Sequence, residues 1–196
     1  MTGKRLAAIR KLLAEHELDG LIVAGAANRR YFSGFSGSAG MLLIGDSCAY
    51  LLTDFRYREQ AGEQAPGFDI LCWRDKFYEN LAALVKEKGW SRIGFEAKQF
   101  IYYNYREMSA RLPSELVPLD EAVESLRMVK DINEQEILRK GAGELDRAFD
   151  YICGLIKPGM TERELALELE FFLRKRGAEE PSFQFIVASG MRGALP

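Results

Sequence analysis

Met41-Leu42-Leu43-Ile44-Gly45-Asp46-Ser47-Cys48-Ala49-Tyr50-Leu51-Leu52 sets two short apolar runs on either side of a Gly-Asp-Ser turn. Glycine supplies left-handed backbone freedom and the Asp and Ser side chains bond locally, so the stretch predicts a β-hairpin. A hairpin is necessarily antiparallel. Working outward, Leu21-Ile22-Val23 and Ile93-Gly94-Phe95 predict further strands, with weaker ones over 68–72 and at Leu116-Val117 before Pro118. Between them lie helical patterns. Leu6, Ile9, Leu12 and Leu13 recur at helical spacing up to about Asp19-Gly20, residues 55–64 are helical in composition, and 77–88 places Leu81, Leu84 and Val85 on one face before Gly89. A Tyr-rich helix over 100–112 comes next. Strands joined through helices can run parallel while the hairpin cannot, so the first ~120 residues predict a complete α/β domain with a mixed sheet.

Residues 120–131 are crowded with charge and read as a linker. Beyond them Ile137, Gly141, Leu145, Ala148, Ile152 and Leu155 form the stripe of a long helix that Pro158-Gly159 ends. Thr161-x-x-Glu164 is a capping box opening a second helix, with Leu165, Leu169, Phe172 and Leu173 on its buried side and Gly177 at its end. Residues 183–188 alternate enough to predict a strand, and Ser189 onward reads as loop. Two helices and one strand leave that strand without a neighbour of its own, so this module reads as unfinished.

Composition narrows the chemistry. In 196 residues, 27 Lys and Arg against 29 Asp and Glu leave a net charge of −2, which gives no electrostatic reason to expect nucleic acid or an anionic membrane as partner. No apolar run approaches the roughly 20 residues of a membrane span, and the N-terminus lacks a signal-peptide core, so a cytoplasmic location is expected. Cys48, Cys72 and Cys153 are odd in number and far apart, which suits free thiols. The single histidine, His16, would have to serve any His-based relay, and its place at the polar end of the first helix suits an exposed side chain. There is no Gly-x-Ser-x-Gly elbow and no Walker loop.

Two segments stand out. Residues 28–40 combine glycines, serines and exposed-looking aromatics between two strands, a composition suited either to a turn-rich connection or to a backbone that approaches a ligand. In Thr53-Asp54-Phe55-Arg56-Tyr57, Asp54 is placed to cap the first amides of a helix. Arg56 then meets the positive end of the helix dipole, so a carboxylate partner is implied, either internal, the commoner case, or on a ligand.

The ordered series Tyr31-Phe32-Ser33-Gly34-Phe35-Ser36-Gly37-Ser38-Ala39-Gly40, Thr53-Asp54-Phe55-Arg56-Tyr57, Arg127-Met128-Val129-Lys130-Asp131 with Glu134 and Glu136, Lys157-Pro158-Gly159-Met160-Thr161-Glu162, and Phe183-Gln184-Phe185-Ile186-Val187-Ala188-Ser189-Gly190 closely resembles the aminopeptidase P and prolidase family of Xaa-Pro peptidases. The resemblance implies a creatinase-type N-terminal domain over 1–126, with a mixed sheet flanked by helices (ribonuclease-H-like). An incomplete α+β pita-bread segment would cover 127–196. It further implies hydrolysis of the bond before proline in short peptides, two divalent cations, commonly manganese, and a homodimer. The family's metal ligands lie beyond the matched region, so the chain is expected to hold no cofactor and no catalytic residue, and to be inactive alone. Arg56 matches an arginine that helps bind the peptide, often in a neighbouring subunit's active site. The loop around Phe35 matches one that narrows the partner's entrance. A non-catalytic creatinase-like scaffold and a metal-free creatine-type amidinohydrolase remain alternatives, the latter disfavoured by the Thr53 to Tyr57 match.

Overall fold

A computed structural model describes residues 2–194, which fall into two compact units divided between Val129 and Lys130. The first unit is built on one six-stranded sheet in the order β4-β3-β2-β1-β5-β6. Its strands are β1 (Gly20–Val23), β2 (Met41–Gly45), β3 (Ala49–Thr53), β4 (Asp69–Cys72), β5 (Arg92–Glu96) and β6 (Glu115–Leu119). The hairpin β2–β3 and the β1–β2 pair are antiparallel, while β1–β5, β3–β4 and β5–β6 are parallel. This is the mixed sheet that the hairpin required.

Both faces of the sheet are covered, and side-chain alternation sorts the strands between two cores. Leu21, Val23, Leu42, Ile44 and Leu51 join α1 (Thr2–Glu15), α2 (Ala26–Ser33) and α3 (Arg58–Gln64) on one side. Ile22, Leu43, Tyr50 and Leu52 meet α4 (Phe77–Lys88) and α5 (Tyr102–Arg111) on the other. Where β1 and β2 pair through Gly20 and Gly45, the Trp90 ring lies so close that a Cβ on either glycine would stand 2.4 or 2.3 Å from it. Only glycine admits the indole there.

Two readings of this unit are corrected. Residues 28–33 are not loop but most of α2, whose C-terminus is closed by Gly34 at φ +88 with its N–H on Arg30 O (2.8 Å). The aromatics of residues 28–40 are not exposed: Phe32 and Phe35 are both 0% accessible and Tyr31 is half-buried. Residues 120–131 contain a short helix, α6 (Ala122–Ser125), and Val123 is buried, so much of the supposed linker is packed.

In the second unit α7 (Ile132–Leu155) and α8 (Glu162–Lys175) each open on a complete capping box, Asp131 with Glu134 and Thr161 with Glu164. The helices meet through Tyr151 stacked on Phe172, with centroids 4.4 Å apart. Within the predicted stripe of α7, Ala148 is buried and Ile152 and Leu155 are half-buried, whereas Ile137 and Leu145 face solvent. Residues 183–188 are irregular rather than a strand, because no strand among the described residues of this unit offers a ladder. The chain beyond them is instead anchored by Glu162, which accepts from the Ser189 N–H (2.9 Å). Among the described residues, no helix is long and apolar enough to cross a membrane.

Candidate functional site

The two segments singled out in the sequence touch. After Gly34 turns the chain, Phe35 drops into the core and its ring meets Tyr57 edge-on, with centroids 5.8 Å apart. Ser38 Oγ and Tyr57 OH share a hydrogen bond of 2.7 Å, and Thr53 Oγ1 donates to Ala39 O (2.7 Å). Gln64 of α3 accepts from the Ser36 N–H through Oε1 (2.9 Å). Residues 34–40 are therefore fastened both to α3 and to the strand end and turn that carry Arg56.

A buried cation completes the fastening. Arg29 of α2, 4% accessible, donates from Nη2 to Gly37 O (2.5 Å) and from Nη1 to Gly40 O (2.7 Å) and Ala24 O (3.4 Å). Among the described residues no carboxylate bonds it, and its Nε is buried without a hydrogen-bond partner. Burial draws the Arg29 pKa down, while the charges of Glu96 and Tyr57 oppose that shift. Three main-chain carbonyl dipoles converging on one guanidinium stand in for the missing anion. Sequence reading passed over Arg29, since a cation inside an apolar stripe is ordinarily placed at the surface.

Arg56 lies on the outer side. A one-turn 3-10 helix, Phe55–Tyr57, begins with Asp54 as its cap, accepting from the Arg56 N–H at 2.9 Å. The same carboxylate takes Arg56 Nε (3.1 Å) and Nη2 (2.7 Å), so the carboxylate demanded by the dipole argument is internal and bidentate. Hydrogen bonding to Arg56 lowers the Asp54 pKa, and that of Arg56 rises in return. The Arg56 side chain remains 66% accessible. Among the described residues its Nη1 takes no hydrogen-bond partner. With Phe55, Arg58, Glu59 and Glu63 it borders a shallow groove of about 570 Å³. Of the two predicted binding residues, one thus presents a donor to solvent and the other supports the loop from beneath.

Among the described residues no group of three or more His, Cys, Asp or Glu side chains converges to hold a metal ion. His16 is exposed, and the three cysteines are free and not clustered. A metal centre does not fit the described residues.

A mixed sheet with this order, a loop clamped over the end of β3 and two capped helices beyond it define a two-part architecture, and comparison with known proteins identifies its class. Residues 5–129 match the creatinase/prolidase N-terminal domain model and residues 136–196 the metallopeptidase family M24 model. The chain belongs to the creatinase/prolidase N-terminal domain family, and its residues 136–196 resemble part of the metallopeptidase family M24, which implies divalent metal in full-length members. It is 41% identical over 193 residues to the uncharacterized peptidase YqhT of Bacillus subtilis (strain 168), covering 98% of this chain and 55% of that one. Its fold matches a solved Xaa-Pro dipeptidase from Bacillus anthracis with a TM-score of 0.96 at 39% identity, over 100% of this chain and 55% of that one. The N-terminal domain of cytoplasmic peptidase PepQ from Mycobacterium tuberculosis H37Rv matches with a TM-score of 0.58 at 34% identity, over 63% of this chain and 98% of that one. The chain spans about half the length of the curated relatives it matches, 55% of YqhT.

Proposed function

We propose that this chain is the N-terminal portion of a metal-dependent, cytoplasmic Xaa-Pro peptidase that cleaves the bond before proline in short peptides, and that its first unit supplies substrate gating and dimer contacts. The supporting observation is the fastening of residues 34–40 onto the Asp54-Arg56-Tyr57 turn, which leaves Arg56 accessible on a rigid base. Arg56 is oriented by Asp54 through Nε and Nη2, so Nη1 is free to bind a peptide carboxylate at a neighbouring subunit's active site. Phe35 contributes indirectly, by holding from below the loop that narrows the entrance. The dinuclear metal chemistry, with manganese as the expected ion, belongs to residues beyond those described, so the 196-residue chain is inactive by itself.

The test has two arms. In the protein that carries both this chain and its catalytic remainder, Arg56→Ala should raise KM for an Xaa-Pro dipeptide by about tenfold or more, the scale of a charged hydrogen bond, with kcat nearly unchanged. A lowered kcat at constant KM would remove Arg56 from substrate binding. Incubating the 196-residue chain with manganese and the same dipeptide should give no turnover. Metal-dependent hydrolysis above background would overturn the division of labour.

A further inference from the structure

At the C-terminal ends of the parallel strands β1 and β5 lies a buried polar relay that the peptidase reading does not use. Glu96, the last residue of β5, is 1% accessible and Asn28 2%. Glu96 Oε2 accepts from the Ala24 N–H (2.6 Å) and the Gly25 N–H (2.7 Å), while Oε1 accepts from Asn28 Nδ2 (2.5 Å). Asn28 Oδ1 in turn accepts from Arg127 Nη1 (2.6 Å), just after α6. Asn28 Nδ2 also reaches Glu124 Oε1 (3.2 Å), whose Oε2 is buried without a partner. A guanidinium only donates, so Arg127 determines which end of the Asn28 amide faces it, and the nitrogen must face Glu96. All the bonds run one way, from Arg127 through Asn28 to a carboxylate.

We propose that this relay is a proton-operated latch on the segment leaving the first unit: ionised Glu96 orients Asn28 to grip Arg127, and proton uptake turns Asn28 over and releases Arg127. Oε2 already accepts two backbone N–H groups, so an incoming proton binds Oε1. That oxygen then donates where it had accepted. Asn28 must present Oδ1 to it, which brings Nδ2 against Arg127, donor to donor. The O–H···Oδ1 bond replaces the Asn28 Nδ2 bond to Glu96, and the Asn28 bonds to Glu124 and Arg127 both break. The local bonds of the segment, Arg127 N–H to Glu124 O (2.9 Å) and Met128 N–H to Ser125 O (3.1 Å), then lose this one tertiary tie, while Tyr31 OH still donates to Leu126 O (3.2 Å) and its ring still lies under the Arg127 guanidinium.

The charges facing Glu96 are Arg29 from α2, Glu124 from α6 and Arg127 after it, with the Lys98–Glu121 pair further out. Burial pushes the Glu96 carboxyl above the usual carboxylate range. The bonds from Gly25, Asn28 and Ala24 draw it back, and the Glu124 charge adds to the upward push. The latch is closed above that raised pKa and opens as pH falls through it.

The test is hydrogen exchange on the whole 196-residue chain at about pH 8 and about pH 5, corrected for intrinsic rates, alongside a carbon NMR titration of the Glu96 carboxyl. Protection at Arg127 and Met128 should fall about tenfold on acidification, in step with the Glu96 titration, while the amides of β1 and β5 hold. Glu96→Gln copies the protonated state, its amide oxygen taking the two backbone N–H groups and its NH2 facing Asn28, so protection should be low at both pH values. Arg127→Met, outside the core, should give the same low, pH-independent protection with the Glu96 titration retained, which covers the case in which Glu96→Gln does not fold. Three results each overturn the latch: a Glu96 that does not titrate in this range, protection at Arg127 indifferent to its titration, or a loss spread over the whole unit.

Discussion

Phe35 and Arg56 stand on the same tyrosine, the ring of one 5.8 Å from Tyr57 and the guanidinium of the other 5.7 Å from it, yet substitution should separate them completely. Truncating a fully buried aromatic costs ~3–5 kcal/mol, so Phe35→Ala should lower the melting temperature sharply. Arg56→Ala, at an exposed ion pair, should leave it in place while raising KM. Wild-type melting of the Phe35 variant would mean the loop is not anchored as described. Half of this site was legible beforehand. Asp54 could be read as a cap because acidic residues before a helical run accept its free amides, and the same argument called for an anion beside Arg56. Arg29 could not be read, because its anion substitute is a set of carbonyls converging from residues 24, 37 and 40, an arrangement that exists only once the chain has folded.

Among the elements, those specified by local chemistry were legible and those needing a distant partner were not. The Thr161–Glu164 capping box and the Gly45-Asp46-Ser47 hairpin are short-range devices and form as expected, whereas the Asp131–Glu134 box lay hidden in the charge-crowded stretch read as linker. Residues 183–188 carry a strand pattern but have no ladder to join, and α2 hides in a glycine and serine-rich run because its buried side includes Asn28, Arg29 and Ser33 rather than an apolar stripe alone. At the foot of unit two, Glu144 receives Arg147 and Arg176, whose hydrogen bonds lower its carboxyl from 4.5 to about 2. The pairing therefore supports α7 against α8 above the ordinary carboxylate range, and that support is lost as pH falls from 4.5 towards about 2. Far-UV circular dichroism should show Glu144→Gln with a flatter acid profile than the parent over this window. Superimposable profiles would contradict it.

Taken whole, the molecule has stability concentrated in one unit. The first holds two cores across a sheet covered on both faces. In the second, among the described residues, Ala148 alone is fully buried, while Leu145, Phe149, Phe171 and Ile186 are 61%, 69%, 62% and 78% accessible. Residues 1–129 expressed separately should melt cooperatively near the temperature of the parent's main transition, and should lack the anilinonaphthalene sulfonate binding that the apolar surface of the full chain gives. A fragment without a cooperative transition, or one that binds the dye as strongly as the parent, would contradict this partition.

The indole lodged over Gly20 and Gly45 has an optical consequence. With only two tryptophans in the chain, Trp73→Phe leaves a single emitter pressed against the seam between β1 and β2. Its emission should move to longer wavelength when that seam parts and water reaches the ring, so the opening of the central strands can be timed in a stopped-flow fluorimeter without any attached label.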